Sequence, residues 1–272
     1  MNKEITNGTF RVILVNSLFL FLLAYLIIYL LNLFITGLTA VIFNIPVVIY
    51  YNEVDFLIRG YDWTSDAVCG VFSSGPLLMF VLSLFFLILY TAVVTETGIL
   101  RLLLLWIIYH GLTRIFGEIL VGALMGKGFG YVILYLFVMD TGKMILTIFG
   151  FVAMFTTGLF IVRPVLFSAN IYFNELRKSY RMRFIINQFI FPYVLGNVVI
   201  FLVKLPEVSI FDITVNATMI LFFIPLLLQS INFQDLYFDE EPRKIKLKLI
   251  LPMVTIILFI LFRTLFGIGL RL

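Results

Sequence analysis

ILRLLLLWIIYHGLTRIFGEILVGALM, residues Ile99–Met125, decides the class of fold. It is longer than the roughly 20 apolar residues that a helix needs to cross a bilayer. Inside it stand His110, the chain's single histidine, then Arg114 and Glu118, each four residues after the last. On a helix that spacing stacks all three on one face. A charged side chain at bilayer depth costs about 2.5–3.5 kcal/mol on insertion scales, so such groups face a partner or a wet cavity. Arg114 and Glu118 suit an i,i+4 ion pair, although the order with glutamate first is the better one. The stripe has three readings: a structural ion pair to a neighbouring helix, a proton or ion relay, or an anchor for an anionic group.

Composition agrees with a membrane chain. Of 272 residues 62% are hydrophobic and 12% charged, against about 25% charged in soluble domains, and the mean hydropathy is +1.14. A water-soluble globule is excluded. One cysteine, Cys69, leaves no internal disulfide and no cysteine-based zinc module. The basic pI of about 9.1 comes from cations between apolar runs, which points to topology and lipid headgroups and not to nucleic acid.

Outward from 99–125, the hydropathy predicts an all-α polytopic membrane protein of about seven transmembrane helices in one transmembrane domain, 1–272. The spans fall near Val12–Ile35, Pro76–Val94, Ile99–Met125, within Tyr131–Val162, Phe184–Val203, Ile210–Leu228 and Leu249–Phe266. The first apolar run is too long for a signal core and is read as a retained span. The longest interruption, 36–75, is an extracytoplasmic or interfacial excursion. Its Ile42–Tyr51 stretch, rich in Val, Ile and Tyr around Pro46, is either a re-entrant or interfacial segment or a strand. Tyr50, Tyr51, Tyr61 and Trp63 suit a headgroup-level aromatic belt.

With the amino terminus in the cytoplasm, twelve cations fall inside: Lys3, Arg11, Arg101, Arg163, Arg177, Lys178, Arg181, Arg183, Arg243, Lys244, Lys246 and Lys248. Five fall outside: Arg59, Lys127, Lys204, Arg263 and Arg271. The excess predicts a multi-pass protein of the cell's inner (cytoplasmic) membrane, amino terminus in and carboxyl terminus out. A second crossing within Thr36–Tyr51 would invert everything downstream. The cytoplasmic loops 163–183 and 229–248 are substantial. Ser168–Arg183 reads as a basic helical segment beside the membrane, and 229–248 runs from acidic to basic. Headgroup contact explains both, and a cytoplasmic partner at 168–183 or 229–248 is the alternative.

Gly111, Gly117, Gly122 and Gly126 offer small surfaces for a close helix neighbour, the last two as a GxxxG step. The glycines of Gly126–Gly130 are read as a helix stop and tight turn, because a dinucleotide fingerprint needs a strand before it. Met139-Asp140-Thr141-Gly142-Lys143 interrupts the fourth apolar run. It is either a polar interfacial turn or the gap of a broken helix that brings Asp140 and Lys143 to the buried polar site. Pro192, Pro225 and Pro252 are expected to kink their spans.

His110-Gly111-Leu112-Thr113-Arg114 resembles the HExxH helix of site-2-type intramembrane metalloproteases, and Asp140-Thr141-Gly142 is similar to that family's downstream Asp-Gly motif. The resemblance covers these few residues. Gly111 replaces the general-base glutamate and Arg114 the second histidine, and arginine cannot ligate a metal. What the resemblance implies is a degenerate, inactive relative. A metal held by His110, Glu118 and Asp140 is opposed by the Arg114 charge, and Ser73 and Ser74 have no base beside them.

The expected function is therefore non-enzymatic, without cofactor or metal and with no catalytic residue assigned. The chain reads as a subunit of a membrane complex organised around His110, Arg114 and Glu118, with the bilayer and a membrane-protein partner or second copy as its contacts. A small transporter or ion- or proton-translocating protein is the alternative.

Overall fold

The computed structural model describes residues 7–92, 98–238 and 247–272. Lys3, the residues 93–94 at the end of the expected second span, and the charged run 239–246 lie outside them. The fold is all-helical, with seven helices long and apolar enough to cross a membrane. In chain order they are α1 (Asn7–Ile42), α2 (Ser65–Ala92), α3 (Ile99–Met125), α5 (Asp140–Phe167), α6 (Lys178–Lys204), α7 (Ile210–Ser230) and α8 (Ile250–Gly267). The short helix α4 (Phe129–Tyr135) sits between α3 and α5.

Two helices outrun their expected limits, which shrinks the excursion from 36–75 to 43–64. At 36 residues, α1 rises about 54 Å, well beyond a hydrocarbon core of about 30 Å. Its last turns stay ordered because Ala40 packs with Ile45, Val47, Ala67 and Val71 in a second small core. Pro76 lies inside α2 and does not open it. One turn earlier, the Ser73 and Ser74 hydroxyls donate back to the Cys69 and Val71 carbonyls, at 2.5 and 2.9 Å.

The apolar stretch after α1 resolves as a strand. β1 (Val47–Ile49) pairs antiparallel with β2 (Val54–Phe56), Val48 opposite Asp55. On its other edge it pairs with the last strand of the chain, which sets Val48 opposite Arg271. At the other end of the bundle β3 (Glu175–Leu176) pairs with β4 (Leu236–Tyr237), and the last strand, β5, is Leu270–Arg271. Among the described residues α8 is the one helix between β4 and β5, which puts the two sheets at opposite ends of the bundle. No helix crosses between Thr36 and Tyr51: that segment is the end of α1 followed by β1.

The loop expected to be a basic helix, Ser168–Arg183, is instead a 3₁₀ turn at Ser168–Ile171, then β3, then the start of α6. Residues 163–167 belong to α5. Arg181, counted as a headgroup cation, is 2% exposed. It donates to the carbonyls of Ser230, Phe233 and Gln234 at 2.9, 2.6 and 2.7 Å. Carbonyls at a helix end have no intrahelical donor, and a cation there satisfies them. Arg101 is likewise buried, its guanidinium 4.9 Å from the centre of the Tyr90 ring. Outside the spans, Glu175 pairs with Arg177 at 2.9 Å and, by accepting its hydrogen bond, raises the Tyr237 phenol above its ordinary value.

Two π turns interrupt the bundle, Thr113–Gly117 in α3 and Ile186–Ile190 in α6. The second precedes Pro192, which has no N–H for the Gln188 carbonyl one turn back. That carbonyl accepts the Ser17 hydroxyl of α1. Ser17 in turn receives the Trp106 indole N–H of α3 at 3.0 Å, and the Gln188 amide donates to Ser168 at 2.6 Å. A buried polar chain thus joins α1, α3, α6 and the end of α5.

Candidate functional site: a buried charge quartet

Arg114 lies within the π turn of α3, and Glu118 follows directly after it. Both are nearly inaccessible, at 3% and 5%. Their contact is long, Nη1 to Oε1 at 3.4 Å. The stronger partner of Arg114 is one the sequence reading did not select: Asp212 of α7, 3.0 Å from the same Nη1. The second oxygen of Asp212 accepts from Lys204 Nζ at 2.8 Å. Two cations and two carboxylates from α3, α6 and α7 form one network, with Asp212 at its centre.

Local sequence explains the placement. Ser209 caps α7, its hydroxyl accepting from the Asp212 N–H at 3.3 Å. Ser-x-x-Asp is a capping signature, and a carboxylate in the first turn meets the positive end of the helix dipole. Lys204 closes α6, and only the short connection 205–209 separates that helix from α7, which carries Asp212. The Tyr29 ring of α1 lies beside both cations, 3.7 Å from Lys204 Nζ and 5.2 Å from the Arg114 guanidinium carbon. Its hydroxyl donates to the Asn52 carbonyl at 2.8 Å, and the Asn52 amide reaches Glu207 at 3.5 Å. The quartet is therefore linked to the end of the bundle that carries the three-stranded sheet.

The other expected site residues separate from it. His110 is buried among Phe21, Tyr25 and Trp106, with ring centroids at 4.5, 5.7 and 6.3 Å. It belongs to this aromatic packing rather than to the ion pairs, and its Nε2 has no hydrogen-bond partner. Asp140 and Lys143 do not join the buried site. The helix does break between Tyr135 and Asp140, but Asp140 opens α5 with a side chain 99% exposed, paired to Lys143 at 3.0 Å. A carboxylate at a helix start favours water and the helix dipole over burial.

The glycines divide in the same way. A Cβ on Gly111 would strike Ser83 and Met79 of α2, and one on Gly117 would strike Thr218 and Val215 of α7. Of the Gly122–Gly126 step, Gly122 meets a close neighbour, Gly130 at the head of α4. Gly126 ends α3 in the left-handed conformation, φ +64°, with its N–H bonded to the Gly122 carbonyl. Gly128 also has positive φ, as a tight turn requires.

Beside the quartet lies a cavity of about 40 Å³, lined by Lys204 and Asp212, by Asn197 and Asn216, and by four apolar residues. That exceeds the 10–15 Å³ that about one water needs, and the polar groups are there to hold it. Among the described residues no three His, Cys, Asp or Glu side chains gather in a way that could hold a metal. No protein-family model, no curated protein and no solved structure matches this chain. The site and the fold define a multi-pass helical membrane protein with buried, ion-paired charges.

Proposed function

We propose that the protein acts without covalent chemistry, as a subunit of a membrane complex, and that the quartet is the clasp that fixes the shape it presents to its partner. The supporting observation is charge balance within the network. Arg114 and Lys204 are matched by Glu118 and Asp212, and Asp212 spends one oxygen on each cation. A balanced, mutually paired set has no net charge with which to attract a cargo ion. It suits a locked assembly, since a buried pair is costly to open. The partner is a second membrane protein or a second copy of this chain, with the segments 168–183 and 229–248 as cytoplasmic contacts.

The proposed orientation in the inner (cytoplasmic) membrane puts the amino terminus and the β3–β4 sheet inside and the three-stranded sheet and carboxyl terminus outside. The cation excess is its support.

A transporter or ion-translocating role is the second reading, and the polar cavity against Lys204 and Asp212 favours it. Native mass spectrometry of the particle extracted in mild detergent from its own membrane separates the two. The subunit reading predicts a stoichiometric second component or a fixed homo-oligomer. A lone monomer, combined with ion flux in vesicles that Glu118→Gln abolishes, would replace it with the transport reading.

A further inference from the structure

α6 and α8 both pack on α1 and leave a groove between them. Its volume is about 580 Å³, within the range of ligand sites. Leu18, Leu22, Leu202 and Phe259 are among its apolar lining, and Arg263 stands at the sheet end. We propose that this groove binds an anionic phospholipid, an acyl chain lying along α1 and the headgroup phosphate held by Arg263.

Charge complementarity carries the assignment. Among the described residues no carboxylate pairs with Arg263. Its Nη2 donates to the Leu205 carbonyl at 2.8 Å, and the guanidinium carbon lies 3.5 Å from the centre of the Tyr51 ring. Nη1 has no acceptor. A phosphate at the groove mouth would supply the counter-charge that Arg263 lacks. The depth fits as well. Arg263 lies four residues before the end of α8, Gly267, about 6 Å along the axis, which is headgroup level.

The groove runs along α8 from Thr255 to Thr264, about 13 Å, and the bilayer supplies acyl chains to it at high concentration.

The test uses the full-length protein, delipidated in detergent and offered phosphatidylglycerol or phosphatidylcholine with identical acyl chains, with retention read by native mass spectrometry. The wild type is expected to retain phosphatidylglycerol about fivefold better, the worth of one cation near a headgroup. Arg263→Gln should remove that preference and Arg263→Lys should keep most of it. Leu202→Trp places bulk in the groove at a side chain already 58% exposed, and should lower retention of both lipids. Equal retention by the wild type, a preference that survives Arg263→Gln, or a Leu202→Trp variant that holds both lipids normally would overturn the proposal. Should Arg263→Gln not fold, the wild-type comparison and Leu202→Trp decide the matter.

Discussion

At the scale of single residues, Asp212 outweighs Glu118. Asp212 holds a cation on each oxygen at 3.0 and 2.8 Å, while Glu118 has one contact at 3.4 Å. Neutralising Glu118 leaves Arg114 still paired, so Glu118→Gln should cost about 1.5–3 kcal/mol, the range of a lost charged hydrogen bond. Asp140→Asn should change stability by less than about 0.5 kcal/mol, as expected of an exposed pair. Thermal unfolding in detergent followed by tryptophan fluorescence checks both, and an Asp140 variant as damaged as the Glu118 one would show that the site is wrongly drawn. The Arg114–Glu118 pair was legible because i,i+4 spacing shows in a sequence. Lys204 was not, because a cation beside a predicted loop looks like a topology signal until its partner is known. The available signal was Ser209-x-x-Asp212, a helix start that places a carboxylate at a span's first turn.

At the scale of elements, close approach rather than hydropathy sets the packing of α3. Gly111 against α2 and Gly117 against α7 leave no room for a side chain. Gly111→Val and Gly117→Val should each destabilise by about 1–3 kcal/mol, the cost of overpacking. Gly126→Ala should cost about 1–2 kcal/mol through its left-handed conformation alone, with Ser83 and Thr218 undisturbed. Crosslinking of paired cysteines at the α2–α3 and α3–α7 contacts distinguishes the two effects: the valine variants weaken it and Gly126→Ala does not. The spans were legible from apolar length, and their number and order survive in the structure. The strands were legible only at 42–51, where Val, Ile and Tyr cluster. β3, β4 and β5 are two residues each, too short for alternation to register, and they exist because distant segments meet.

At the scale of the whole molecule, the two small sheets tie the loops at each end. The carboxyl-terminal strand shares its sheet with the segment after α1, and the loops flanking α6 and α7 share the other. Tyr61 and Tyr237, both 76% exposed, therefore lie at opposite ends. In a Cys69→Ser background, an impermeant maleimide applied to intact cells should label Tyr61→Cys and spare Tyr237→Cys until the membrane is opened. The reverse pattern would invert the orientation, and labelling of both would contradict the fold. The proposed orientation rests on cation counts, and three of the counted cations, Arg101, Arg181 and Lys204, are buried structural groups.

Asp212 and Lys204 lock α6 and α7 onto α3, and a double-mutant cycle measures that lock. Unfolding free energies would be measured for the wild type, Asp212→Asn, Lys204→Met and the double variant. Asp212→Asn strands Lys204 and leaves Arg114 only Glu118, so a loss of about 3–5 kcal/mol is expected. The double variant should be more stable than Asp212→Asn alone, because the stranded cation is gone. Single effects that simply add, within about 0.5 kcal/mol, would contradict the clasp.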